Sequence, residues 1–392
     1  MPGRTFPKGF LWGTSSAAYQ VEGDNRNCDW WQWEQTPGHI ANGDSSAVAC
    51  DGYNRYREDF ALLREMGQNA HRLSVEWSRI EPAEGEFSSA QLDHYRRMLD
   101  ACHEHGVTPI LTFHHFTVPR WVHEAGGLAS DRFAELFERY CDRSARALGD
   151  LIGYACTINE PQGLGWSGWV SGINPPGIKG DEATARLVSE NLLEAHRLAA
   201  PAIRAHTNAP VGVTLAMPDL QYEDGATPGQ TGLEVESAIN DEFFELAKMD
   251  DFIGVQTYTR ARFGPEGPRK PAATDEVTQM GYEFYPRALG GAIRRAWKST
   301  GGIPILVTEN GVATTDDERR IAFMTEALDE VRNCLAEGID VRSYIHWSLL
   351  DNFEWGFGYG PRFGLVAVDR DTFARHPKPS ATWLGARASG SR

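Results

Sequence analysis

The chain has 392 residues, 41% of them hydrophobic, and a formal net charge of −16. No Lys/Arg cluster stands against that charge, which argues against nucleic acid and anionic membrane as partners, since both need a positive face. No run approaches the roughly 18 apolar residues of a membrane span. The opening Met1-Pro2-Gly3-Arg4-Thr5-Phe6-Pro7-Lys8 lacks the apolar core of a signal peptide, so the expected compartment is the cytoplasm.

Short apolar runs recur along the chain, separated mostly by helical stretches. In order they are Phe10–Thr14, Ala70–Val75, Thr108–Phe113, Gly153–Ile158, Val211–Leu215, Phe252–Thr257, Ile303–Thr308 and Val341–Trp347. Near-continuous apolar strands alternating with helices predict a parallel sheet covered by helices. Eight such units predict a closed (β/α)8 barrel in one domain, 1–385, with a frayed polar tail over 386–392. Helices are predicted over Tyr53–Met66, Ser89–His105 (capped by Ser88 or Ser89), Phe133–Leu148 and Asp317–Glu337, each stopped by a glycine.

The six cysteines, Cys28, Cys50, Cys102, Cys141, Cys156 and Cys334, form no C-x-x-C pair and are expected as free buried thiols. Cys102-His103-Glu104-His105 resembles a metal motif, but its charged surroundings and Gly106 fit a helix end.

The residues that follow the strands are polar and aromatic. The first strand leads to Gln20 and Glu22, and the second ends in Glu76-Trp77. The third ends in His114-His115, the fourth in Asn159-Glu160-Pro161, and the sixth near Tyr258. The seventh ends in Glu309-Asn310-Gly311 and the eighth in Trp347, with Glu354-Trp355 soon after. In a barrel all these ends face one mouth. Paired carboxyls suit glycosidic bond cleavage, tryptophans suit the C–H faces of a pyranose, and amides suit its hydroxyls.

At this point the chain resembles glycoside hydrolase family 1, the β-glucosidase family. Phe10-Leu11-Trp12-Gly13-Thr14 through Tyr19-Gln20-Val21-Glu22-Gly23 looks like its N-terminal signature. Thr157-Ile158-Asn159-Glu160-Pro161 looks like its acid/base motif, and Val307-Thr308-Glu309-Asn310-Gly311 like its nucleophile motif. Trp347 through Trp355 looks like its sugar-binding motif, followed by Arg362-Phe363-Gly364-Leu365.

The resemblance implies a retaining exo-β-glycosidase acting on terminal β-D-glucosides, galactosides or fucosides, with no metal and no cofactor. Glu160 would be acid and then base, and Glu309 the nucleophile, about 5–5.5 Å apart. Gln20, His115, Asn159 and Glu354 would hold sugar hydroxyls, and Trp347 and Trp355 would line the sugar site. Tyr258 and Arg72 would support Glu309. Glu354, where phospho-sugar enzymes of the family carry Ser, speaks against a phosphorylated substrate.

Gln162, Trp166 and Trp169 are candidates for the leaving-group side. Of the two adjacent histidines, His115 is assigned to the site and His114 to structure. Glu76 is expected to pair with an arginine rather than serve as a third mouth carboxylate. Thr117, Gln162 and Gln256 depart from the family's Asp, Trp and Asn. The segment around Tyr222–Gly232 is short, which predicts a mouth open on that side and tolerant of bulky aglycones. Three other readings share parts of this pattern: a transglycosylase or natural-product tailoring enzyme, a non-catalytic sugar-binding barrel, and a metal-dependent barrel hydrolase.

Overall fold

The computed structural model describes residues 6–226 and 231–390. Eight parallel strands close on themselves: β1 Leu11–Ser15, β2 Ala70–Ser74, β3 Thr108–His114, β4 Tyr154–Asn159, β5 Val211–Ala216, β6 Phe252–Gln256, β7 Ile305–Asn310 and β8 Val341–Trp347. Their order around the barrel is β1-β8-β7-β6-β5-β4-β3-β2. One long helix follows each strand: α1 Gly52–Glu65, α2 Ser89–Glu104, α3 Phe133–Leu148, α4 Glu182–Arg204, α5 Gly232–Ala247, α6 Ala288–Thr300, α7 Asp317–Ala336 and α8 Pro379–Gly390. The chain is a (β/α)8 barrel in a single domain.

The strands form where the apolar runs predicted them. β7 starts two residues late because Pro304 has no N–H to give the ladder, so the parallel pairing begins at Ile305. Ser88 caps α2, its Oγ accepting from Gln91 N at 3.3 Å. Gly149 after α3 is not the left-handed stop expected of it, since its φ is −59°. Its role is close approach, because a Cβ there would collide with the His206 carbonyl oxygen. α8 carries the fold past residue 385, where the domain was expected to end, with Ala388 buried. Residues 391–392 lie outside the described residues.

Two apolar layers hold the barrel. An outer core packs the helices onto the strands. A smaller plug of Leu11, Ala70, Ile110, Cys156, Phe252, Leu306 and Ile345 fills the barrel itself. Polar side chains such as Arg72, Asn159, Gln256 and Glu309 take over toward the C-terminal strand ends. Above them sits a three-stranded sheet, Asp219–Tyr222 paired with Arg260–Gly264, which pairs in turn with Gly267–Arg269.

The six cysteines are buried and unbridged. Cys102 is buried within α2, while His103 bonds the Leu151 carbonyl at the helix end, so that motif is structural. No helix among the described residues is long and apolar enough to cross a membrane.

Candidate active site

The C-terminal ends of the strands surround a cavity of about 430 Å³ lined by Gln20, His115, Asn159, Glu160, Tyr258, Glu309, Trp347, Glu354 and Trp355. These nine residues were expected at one mouth from separate stretches of sequence, and the barrel brings them together.

Glu309 is the penultimate residue of β7 and is buried. Its Oε1 accepts from Arg72 Nη1 at 2.5 Å and Gln256 Nε2 at 3.0 Å, and its Oε2 accepts from Tyr258 OH at 2.5 Å. Arg72, on β2, reaches across the barrel axis and donates its Nη2 to Asn159 Oδ1 at 2.6 Å and Thr214 Oγ1 at 3.3 Å. Gln256 Nε2 also donates to Asn159 Oδ1 at 2.9 Å. Asn159 Nδ2 lies 3.3 Å from His115 Nε2. One continuous chain of bonds therefore runs through β2, β7, β6, β4 and the end of β3.

Glu160 follows β4 in the left-handed region, with φ 48°. Phe116 and Trp355, which also line the cavity, have φ 72° and 48°. Non-glycine residues rarely hold such angles, and their clustering at one cavity marks where the surroundings impose them. The Glu160 carboxyl accepts no hydrogen bond among the described residues. Glu354 takes a weak bond from Gln20 Nε2 at 3.4 Å.

Electrostatics separates the carboxyls. Burial pushes Glu160 well above the usual carboxylate range, and the negative charge of Glu309 adds to it. Burial also raises Glu309, but Arg72 and the Tyr258 hydroxyl pull it back. Glu309 is thus the one held toward the ionised form and Glu160 the one held protonated. Glu354 is pushed up to about 8 by burial and by the charge of Glu309. Burial and the neighbouring Arg72 keep His115 well below its ordinary value, so it is neutral and can both donate and accept. Buried polar atoms with no partner among the described residues include Gln20 Oε1, His115 Nδ1 and Gln256 Oε1. Buried polar atoms are normally satisfied, so three orphans around one cavity point to a hydroxyl-rich ligand. No group of three or more His, Cys, Asp or Glu among the described residues is arranged to hold a metal.

Other sequence expectations need correction. Gln162 is buried in the short helix Pro161–Gly165 and does not line the cavity. Trp166 packs against the backbone of Gly232, and Trp169 is buried beside Pro175 and Pro176, so neither lines the cavity. Their place after Glu160 was misleading because the helix turns them outward. Glu76 is not paired with an arginine. Its Oε2 accepts from Asn25 at 2.6 Å, Thr117 at 2.9 Å and Ser78 at 3.4 Å, while Arg79 pairs with Glu22 at 2.9 Å. Thr117 thereby gains a reason, since a hydroxyl satisfies Glu76 where an Asp would repel it. His114 is structural, packed edge-on against Phe133 and Phe137.

The leaving-group side expected to be open is bordered by Leu233 and Glu236 of α5 and by Arg260, Arg262, Phe263 and Pro268 of the small sheet. Residues 227–230, inside the shortened segment, lie outside the described residues. Sequence reasoning missed Glu236. The signal was there: Thr231-Gly232-Leu233-Glu234 is a capping box, confirmed by reciprocal bonds between Thr231 and Glu234. A helix N-terminus after a barrel strand faces the mouth, and Glu236 lies one turn in.

Comparison with known proteins agrees with the barrel fold. The family model described as glycosyl hydrolase family 1 matches residues 3–254 and 240–389. β-Glucosidase A of Acetivibrio thermocellus is 32% identical, covering 97% of this chain and 97% of its own length. A bifunctional β-D-glucosidase/β-D-fucosidase of Bifidobacterium breve is 31% identical, covering 96% of this chain and 97% of its own. The crystal structure of the β-glycosidase BGL167 superposes with a TM-score of 0.89 at 46% identity, covering 98% of this chain and 97% of that one.

Proposed function

This chain belongs to glycosyl hydrolase family 1 and is a glycoside hydrolase, and from that premise we propose that it is a retaining exo-β-glycosidase with Glu309 as nucleophile and Glu160 as acid/base. The observation that carries the reading is the asymmetry of the two carboxyls. Glu309 is gripped by Arg72, Gln256 and Tyr258, while Glu160 has no donor among the described residues and faces the same cavity.

Two displacements follow. Glu309 attacks the anomeric carbon as the glycosidic bond breaks, and the Glu160 proton passes to the departing aglycone oxygen. The glycosyl–Glu309 ester removes the negative charge that helped raise Glu160, so Glu160 now serves as base. It takes a proton from water, whose oxygen attacks the anomeric carbon and releases Glu309 and a sugar of unchanged configuration.

The terminal sugar is a glucoside, galactoside or fucoside in the β configuration. Gln20, His115, Asn159 and Glu354 hold its hydroxyls, using the orphaned atoms Gln20 Oε1 and His115 Nδ1, and Trp347 and Trp355 flank the ring. A phosphorylated sugar is disfavoured by the charge of Glu309, held toward its ionised form by Arg72 and Tyr258, together with that of Glu354, which burial holds partly protonated near neutral pH. Six unbridged, buried thiols fit a reducing compartment, and we assign the cytoplasm.

Turnover of 4-nitrophenyl β-glucoside tests the roles. Glu309→Gly should lose activity on the order of 10⁵-fold, the scale of a removed covalent nucleophile. Glu160→Ala should lose about 10²–10⁴-fold and recover with azide, releasing β-glycosyl azide. An α-glycosyl azide, or unimpaired Glu309→Gly, would exclude the mechanism.

A further inference from the structure

The leaving-group half of the cavity differs in chemistry from the sugar half. Its wall is largely apolar, with Leu233, Phe263, Pro268, Pro271 and Tyr282 facing in. Three arginines stand among them, and each is already committed. Arg260 pairs with Glu283 at 2.6 Å, Arg262 with Asp275 at 2.7 Å, and Arg269 with Glu223 at 3.1 Å. Glu236 is the exception. It is half-buried, lines the cavity, and its carboxyl has no hydrogen-bond or ion-pair partner among the described residues.

Glu236 also lies against the catalytic turn. A Cβ built on Gly163, three residues after Glu160, would sit 3.8 Å from its carboxyl. The glycine leaves nothing between the two. Its charge reaches Glu160 and Tyr282, raising both. Among the described residues, the one cation reaching into the sugar half is Arg72, and Glu309 already holds it. An uncompensated carboxylate set in an apolar wall calls for a cation carried on an apolar body. A second sugar in this half would want amides and hydroxyl partners, and here the polar groups are spent on one another.

Building on the glycosidase reading above, we infer that the enzyme selects β-glycosides whose aglycone is apolar and bears a protonated amine, with Glu236 as the counter-charge.

The test compares two nearly isosteric substrates, the 4-(aminomethyl)phenyl and 4-(hydroxymethyl)phenyl β-glucosides, which differ in charge. Both are measured with wild type and with Glu236→Gln at pH 8, where Glu236, pushed up to about 7 by burial, is largely ionised. The ratio of kcat/KM values, amine over alcohol, is read in each protein, so intrinsic leaving-group differences cancel between proteins. The ratio should exceed one in wild type and fall about tenfold in the variant, as for a partly screened charge pair. An equal ratio in both proteins would overturn the assignment even with brisk turnover. Wild-type silence toward both aglycones carried on β-glucose, β-galactose and β-fucose alike would instead overturn the glycosidase reading, and this one with it.

Discussion

The two halves of the cavity are built on different principles. The sugar half stands on strand ends whose neighbours fix them. Glu309 pairs in register with Gln256 across β7 and β6, and Asn159 with Thr214 across β4 and β5. A slip of one residue would turn each side chain from the barrel interior to the helix layer. The leaving-group half hangs on the small sheet and the first turns of α5, joined by surface ion pairs such as Arg269–Glu223. Such pairs contribute little individually, so this half can change without cost to the fold. In the mechanism proposed above, the reaction is carried by the strand-built half and selectivity by the half built on the small sheet and α5.

That contrast breaks most sharply at Arg72. Arg72→Met should lower kcat/KM for 4-nitrophenyl β-glucoside by about 10²–10³-fold, because the guanidinium holds both Glu309 and Asn159. It should also cost about 3–5 kcal/mol of stability, since it strands a buried carboxylate, measurable by chemical denaturation. Its loss removes a cause that lowers Glu309, so the acid limb of the pH–rate profile should move to higher pH. A variant with wild-type rate and stability would end the claim that the strand-built half is one interlocked unit. Tyr258→Phe sharpens it at smaller scale. One hydrogen bond to an ionised carboxylate is lost, so kcat should fall about 10–100-fold while the thermal midpoint moves little.

The same division explains what could be read from the sequence. Strand periodicity made the barrel legible and strand-end chemistry marked the mouth, but a strand end offers two faces, and it was the family resemblance that assigned His115 to the cavity and left His114 to pack against Phe133 and Phe137. Gln162, Trp166 and Trp169 misled because a helix turn intervenes, and three residues along a helix change the face by most of a revolution. Glu76 misled because two arginine-bearing and carboxylate-bearing stretches meet there, and only packing decides that Arg79 goes to Glu22. Glu236 went unread although its capping box was visible, because its importance lies in lacking a partner. No local pattern announces an absence of that kind.

The smallest expected effect tests whether the movable half reaches the chemistry at all. Four charged groups act on the Glu160 carboxyl: Glu309, Glu236 and Glu354 raise it, and Arg72 lowers it. Raising a general acid keeps it protonated to higher pH, so it sets the alkaline limb of the kcat/KM profile. Glu236→Gln removes one raising charge while leaving Glu309 and its donors in place. The alkaline limb should therefore shift to lower pH, by less than about one unit given that Glu236 is half-buried, while the acid limb governed by Glu309 stays put. A shift of both limbs together would mean that the substitution disturbs the strand-built half, and the two halves would then be one. A shift of the alkaline limb alone means that a residue outside the interlocked half tunes the acid through space, without sharing any of the bonds that hold the nucleophile.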